Sequence, residues 1–103
     1  DVVTPSELSY ARHVYNVYAV RVPRREIFQK VLSERRIQTG VHYPVPVHLQ
    51  PCNADLGYRS GSFPNAESLS ADVLSLPMYA ELSSEQIAEV CSAMDEAARG
   101  TRG

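Results

Sequence analysis

His13-Val14-Tyr15-Asn16-Val17-Tyr18-Ala19-Val20-Arg21-Val22-Pro23-Arg24-Arg25-Glu26-Ile27-Phe28-Gln29-Lys30-Val31-Leu32-Ser33-Glu34-Arg35-Arg36 is the stretch that decides the fold class. From His13 to Val22 it is dominated by β-branched and aromatic side chains, which suit a pleated strand. Tyr18, Val20 and Val22 fall on one face, and Val17 and Ala19 on the other. Apolar groups on both faces predict an inner strand covered on both sides. Pro23 lacks a backbone donor and ends the run. The period then changes. Ile27, Phe28, Val31 and Leu32 recur at the spacing of one helical stripe, with Glu26, Gln29, Lys30, Ser33 and Glu34 around them. A helix over 24–36 follows. Arg35 and Arg36 suit its carboxyl end, where cations interact favourably with the dipole.

Upstream, Asp1 to Arg12 has no period and reads as a loop or as a linker entering from something upstream. Downstream, Ile37 to His42 is a short extended segment leading into Gly40-Val41-His42-Tyr43-Pro44-Val45-Pro46-Val47-His48-Leu49-Gln50-Pro51. Pro44, Pro46 and Pro51 each fix φ and remove a donor, so a stiff, extended loop is expected here, neither sheet nor helix. Leu49 to Phe63 is rich in turn formers. Pro64 opens a brief helix ending near Asp72, as proline at a first turn prefers. Val73 to Leu76 is a short buried strand closed by Pro77. Ser83-Ser84-Glu85-Gln86 has the capping-box pattern of a last helix. Ile87, Val90, Cys91, Met94 and Ala98 form its expected buried stripe, Gly100 its stop, and Thr101 to Gly103 a frayed tail. The order predicts an α+β domain: a small sheet of about three strands packed by helices.

A chain of 103 residues has room for one domain. It is 44% hydrophobic and 21% charged, with a net charge of −2, which gives no basic footprint for nucleic acid. No apolar run is long enough to span a bilayer as a helix. Cys52 and Cys91 read as two free thiols of a reduced compartment, with a single disulfide as the alternative. Lys30 is the only lysine, against nine arginines, and its place on the polar side of the helix gives no desolvated pocket to activate an amine. His42, His48 and Cys52 lack the paired spacing of a metal site, so no metal is expected. Cys52 with His48 and Asp55 lacks evidence for a nucleophilic triad beyond nearness in sequence. Two readings of His42 and Tyr43 stand. A stiff loop presents an imidazole and a phenol to a sugar or phosphate, or both groups are structural.

Beyond these residues there is a resemblance. His13-Val14-Tyr15-Asn16-Val17-Tyr18 is followed by Thr39-Gly40-Val41-His42-Tyr43-Pro44 with Pro46, His48 and Pro51. Asp55-Leu56-Gly57-Tyr58, Phe63-Pro64-x-Ala66-Glu67 and Leu76-Pro77-Met78-Tyr79 ahead of Leu82-Ser83 complete the series. In order and spacing, over most of the chain, these resemble the carboxyl-terminal domain of the DegT/StrS-type nucleotide-sugar aminotransferases. The resemblance implies the small domain of an aspartate-aminotransferase-type (fold type I) pyridoxal phosphate enzyme, homodimeric and cytoplasmic, without nucleic acid or membrane partners. Its substrates would be an amino donor, glutamate, and a keto-sugar on a nucleoside diphosphate. Residues 1–12 would be the linker from a large domain, 13–99 the small domain and 100–103 a tail. The large domain would bring pyridoxal 5'-phosphate and its lysine, so no catalytic or cofactor-binding residue is expected in this chain, which would be inactive alone. His42 and Tyr43 would contact substrate, with His13 a further candidate, and His48 and Pro44 would position the loop. Relatives also include dehydratases and an aminohydroxybenzoate synthase, and a stand-alone binding module is the reading from another class. One departure is Arg36, which stands where the family usually has glycine after the first helix. Either Arg36 is left-handed or the helix ends differently.

Overall fold

The computed structural model describes residues 1–103. Two strands, β1 (Tyr18–Arg21) and β2 (Val73–Leu76), pair antiparallel, with Tyr18 opposite Leu76 and Arg21 opposite Val73. Single-residue bridges widen this ribbon on each side: Val3 pairs with Arg21 and Gly40 with Ser75. The sheet is therefore two strands with a bridge at each edge, rather than three strands. Val3 exchanges two 2.9 Å backbone bonds with Arg21, and Val2 packs on the core. The first residues, which have no period in sequence, thus dock on the domain.

β1 is shorter than the expected strand over 13–22. The His13 ring stacks on Tyr15, centroids 4.2 Å apart, and its Nδ1 accepts the Tyr15 amide at 2.8 Å. Tyr15 sits at φ 49°, and Val14 is 83% exposed. A side-chain bond to a backbone amide two residues on competes with the ladder, and here the local turn wins.

Helix α1 (Arg25–Glu34) buries Phe28 and Leu32 completely. Its end resolves the question of Arg36. The Ile37 amide bonds the Leu32 carbonyl and the Arg36 amide bonds that of Ser33, both at 2.9 Å. This is a Schellman motif with Arg36 in the left-handed position, φ 60°. Ile37 then packs back onto the core.

The proline-rich segment is not purely extended: Val47–Leu49 and Pro51–Leu56 form two 3₁₀ turns. Helix α2 (Pro64–Asp72) follows, with proline in its first turn and no buried residue. Arg25 reaches across to the Ser70 and Val73 carbonyls at 2.6 and 3.0 Å, satisfying acceptors at the end of α2.

Helix α3 (Ser84–Arg102) opens with the expected capping box. The Ser83 hydroxyl accepts the Gln86 amide at 3.1 Å, and the Gln86 side chain accepts the Ser83 amide at 2.9 Å. The expected stripe holds in part and the expected stop does not. Met94 is buried and Val90 and Ala98 pack on the core, with Ala93 and Ala97 completing the buried face, while Ile87 is 50% exposed and Cys91 is exposed. Ala93 and Ala97 are fully buried on the face toward the core, and Ile87 and Cys91 lie outside it. The helix also runs past Gly100 rather than stopping there. Gly100 faces Ile27, and packing on α1 outweighs the low helix propensity of glycine. The core is one cluster between the sheet, α1 and α3: Val20, Val22, Phe28, Leu32, Leu74, Ala93, Met94 and Ala97.

Candidate functional site

β2 runs through the centre of the site. Val73 and Leu74 are buried apolar residues, and Ser75 is buried among them. A buried hydroxyl needs a partner, and Ser75 Oγ has one in His42 Nδ1 at 2.8 Å. The backbone bridge from Gly40 to Ser75, with bonds of 3.0 and 2.8 Å, carries His42 to this position. Gly40 has no side chain for a spatial reason: a Cβ there would lie 3.0 Å from His42 Cε1. The imidazole therefore lies against bare backbone, held at Nδ1, with no hydrogen bond inside the chain to Nε2.

Around it is an open cleft of about 360 Å³ lined by Asn16, Val17, Gln38, Thr39, Gly40, His42, Ser75 and Leu76 to Met78. Tyr43 follows His42 through a cis peptide bond, with its ring edge-on to the imidazole at 5.6 Å and 71% exposed. Tyr43 is outside the lining of this cleft. The imidazole nitrogen can donate or accept, and the Asn16 and Gln38 amide side chains add further donors, so the rim suits a polyhydroxylated or phosphorylated ligand.

His48 is placed elsewhere. It is buried in the first 3₁₀ turn, edge-on to Phe63 at 4.8 Å, with Nε2 3.2 Å from Glu67 Oε2. Glu67 also accepts the Gly61 amide at 2.8 Å, the Phe63 amide at 3.1 Å and the Ser60 hydroxyl at 3.1 Å. The Gly61 amide is the largest cause holding this carboxyl below its usual range; partial burial opposes it, and the Phe63, Ser60 and His48 donors add to the lowering. Pro44 lies exposed between the two anchored histidines. His13 is not brought to the cleft, since its Nδ1 is taken by the Tyr15 amide.

Ser75 and Glu67 were not among the residues singled out from sequence. A serine flanked by Leu74 and Leu76 in an apolar strand was the available signal for the first. The second had none beyond its place in the Phe63–Glu67 match.

Cys52 and Cys91 are free and exposed, and no three His, Cys, Asp or Glu side chains are arranged to hold a metal ion. Pyridoxal phosphate, which the resemblance implies, does not fit the groups of this chain. Its one lysine, Lys30, is 76% exposed and 4.0 Å from Glu34, an i,i+4 surface pair. Such an ammonium is solvated and charged, not poised as an amine.

The family model for the DegT/DnrJ/EryC1/StrS aminotransferase family matches residues 2–95. A pleiotropic regulatory protein of Geobacillus stearothermophilus is 48% identical over 82% of this chain and 23% of its own. The dTDP-3-amino-3,4,6-trideoxy-alpha-D-glucose transaminase of Streptomyces venezuelae is 42% identical over 81% of this chain and 22% of its own. The crystal structure of S. venezuelae DesV in complex with a ketimine intermediate superposes with a TM-score of 0.89 at 38% identity. That match covers 94% of this chain and 26% of DesV. The chain thus spans about a quarter of the length of the relatives it matches. With the model match, the relatives and the shared fold in agreement, the chain belongs to the DegT/DnrJ/EryC1/StrS aminotransferase family.

Proposed function

We propose that this chain is the small, cleft-closing domain of a pyridoxal phosphate-dependent aminotransferase that moves an amino group from glutamate to a nucleotide-linked keto-sugar. The observation that carries this reading is the close superposition on DesV, at 38% identity over 94% of the chain. In this reading His42 and Tyr43 contact the sugar or its diphosphate, and Ser75 holds the imidazole in place. The cofactor and its lysine belong to the rest of the enzyme, so the work of these residues is to bind, orient and exclude water. We infer a cytoplasmic homodimer for the intact enzyme; no helix here is long and apolar enough to cross a membrane.

The test is kinetic, in the intact enzyme. His42→Ala and Tyr43→Phe are expected to raise KM for the nucleotide sugar and leave glutamate binding unchanged. Wild-type values for both variants would remove the site assignment. A second reading has one observation in its favour: the relative at 48% identity is named as a regulatory protein. A module that binds a nucleotide sugar without turning it over would keep affinity but transfer no amino group in the same assay.

A further inference from the structure

Glu67 stands in the first turn of α2, where the helix N-terminus favours negative charge. Its two oxygens do unequal work. Oε1 takes the Gly61 amide at 2.8 Å and the Ser60 hydroxyl at 3.1 Å. Oε2 takes Gly61 at 3.0 Å, Phe63 at 3.1 Å and His48 Nε2 at 3.2 Å. Both oxygens face backbone N–H donors, so only a group that accepts on both sides satisfies them. That is how a concave nest of amides holds a free anion. Here the anion is a side chain of the protein.

The carboxylate also joins two segments, which meet beside it through the edge-on rings of His48 and Phe63. His48 belongs to the turn that ends the His42–Pro51 loop, and Ser60, Gly61 and Phe63 belong to the next excursion. At its other end that loop is fixed by the Gly40–Ser75 bridge and the His42–Ser75 bond. Tyr43 lies between the two anchors.

We propose that Glu67 is a positioning residue: its carboxylate is a built-in anion that clamps His48 and the Ser60–Phe63 turn, and so holds Tyr43 and His42 in place for a ligand. The substrate-affinity part of this rests on the function proposed above; the anchoring part does not.

The experiment uses the intact protein with Glu67→Ala and Glu67→Gln. Backbone hydrogen exchange is followed by mass spectrometry over residues 40–51 and 57–63, with α3 as the internal reference. Sodium formate is then added, with sodium chloride at equal ionic strength as control. Both variants are expected to exchange faster in the two segments and not in α3. Formate should restore slow exchange in Glu67→Ala, where the nest is vacant, and not in Glu67→Gln, where the amide fills it. In the transaminase assay KM for the nucleotide sugar should rise several-fold in Glu67→Ala, with kcat within about twofold, and formate should reverse the rise. Unchanged exchange, equal acceleration in α3, or no response to formate overturns the proposal. If exchange and formate behave as expected while the wild type transfers no amino group, the clamp stands and the enzymatic reading falls.

Discussion

Gly40 and Ser75 show how one side chain of the site depends on residues that never touch a ligand. At Gly40 the constraint is space: an added Cβ meets His42 Cε1 at 3.0 Å. The atom that must yield is the far end of a side chain, so the fold should tolerate the change while the imidazole leaves Ser75. Gly40→Ala is therefore expected to cost about 1–3 kcal/mol of stability, the penalty of leaving the buried Ser75 hydroxyl without its partner, and to raise KM clearly. A thermal melt beside a substrate titration checks this, and a loss of stability without loss of affinity would contradict it. Glu67 gives the pH counterpart. Its native pKa is lowered, mainly by the Gly61 amide. Its contribution is thus complete above the unfolded carboxylate value of about 4.3. It is lost as pH falls through the lower native value. His48 is the titratable side chain bonded to it. Acid titration should loosen residues 57–63 at a pH below the ordinary carboxylate range in wild type, and Glu67→Gln should abolish that step.

Among the elements, what was legible in the sequence was what is decided locally. α1, α2, β2 and the Ser83 capping box all lie where periodicity, prolines and capping residues put them. The misreadings have tertiary causes. Val14 to Val17 has strand composition, but the His13–Tyr15 turn takes it out of the sheet. Gly100 reads as a stop, but packing against Ile27 carries α3 beyond it. On α3 the pattern finds Met94, Val90 and Ala98 but not Ala93 and Ala97, because alanines carry little weight in a hydrophobic pattern. The site was legible in the same measure. His42 and Tyr43 stand out on a stiff stretch, whereas their supports lie far off in sequence, Ser75 33 residues after His42 and Glu67 19 after His48. Arg36 shows a local preference overridden outright. A left-handed non-glycine residue costs about 1–2 kcal/mol, and glycine returns part of that as unfolded-state entropy, about 0.5–1 kcal/mol. Arg36→Gly should therefore stabilise the domain by about 0.5–1 kcal/mol. A lower midpoint in urea would show that the arginine side chain contributes more than its backbone costs.

As a whole molecule the chain exposes more than its mass accounts for. Its accessible surface is 7523 Å², against about 5,800 Å² for a free-standing monomer of this mass. Its radius of gyration is 15.6 Å, against about 13 Å for a compact domain. Part of the excess is an apolar groove of about 380 Å³ between Tyr15, Tyr18, Pro77, Met78 and Ile87. Apolar surface of this kind drives association, so the 103-residue chain alone should show concentration-dependent sedimentation, and a constant monomer mass would argue otherwise. Burial is also uneven. The core joins the sheet to α1 and α3, while from residue 41 to 72 the one buried side chain is His48. The domain therefore has a hard half and a soft half, and the soft half is fastened by polar links that open at low cost. Arg59 is the one site for trypsin between Arg36 and Arg99, and it adjoins the Ser60–Phe63 turn. Brief digestion should sever the chain after Arg59 and leave both pieces held together, with the cut rate serving as a gauge of how firmly the soft half is fastened.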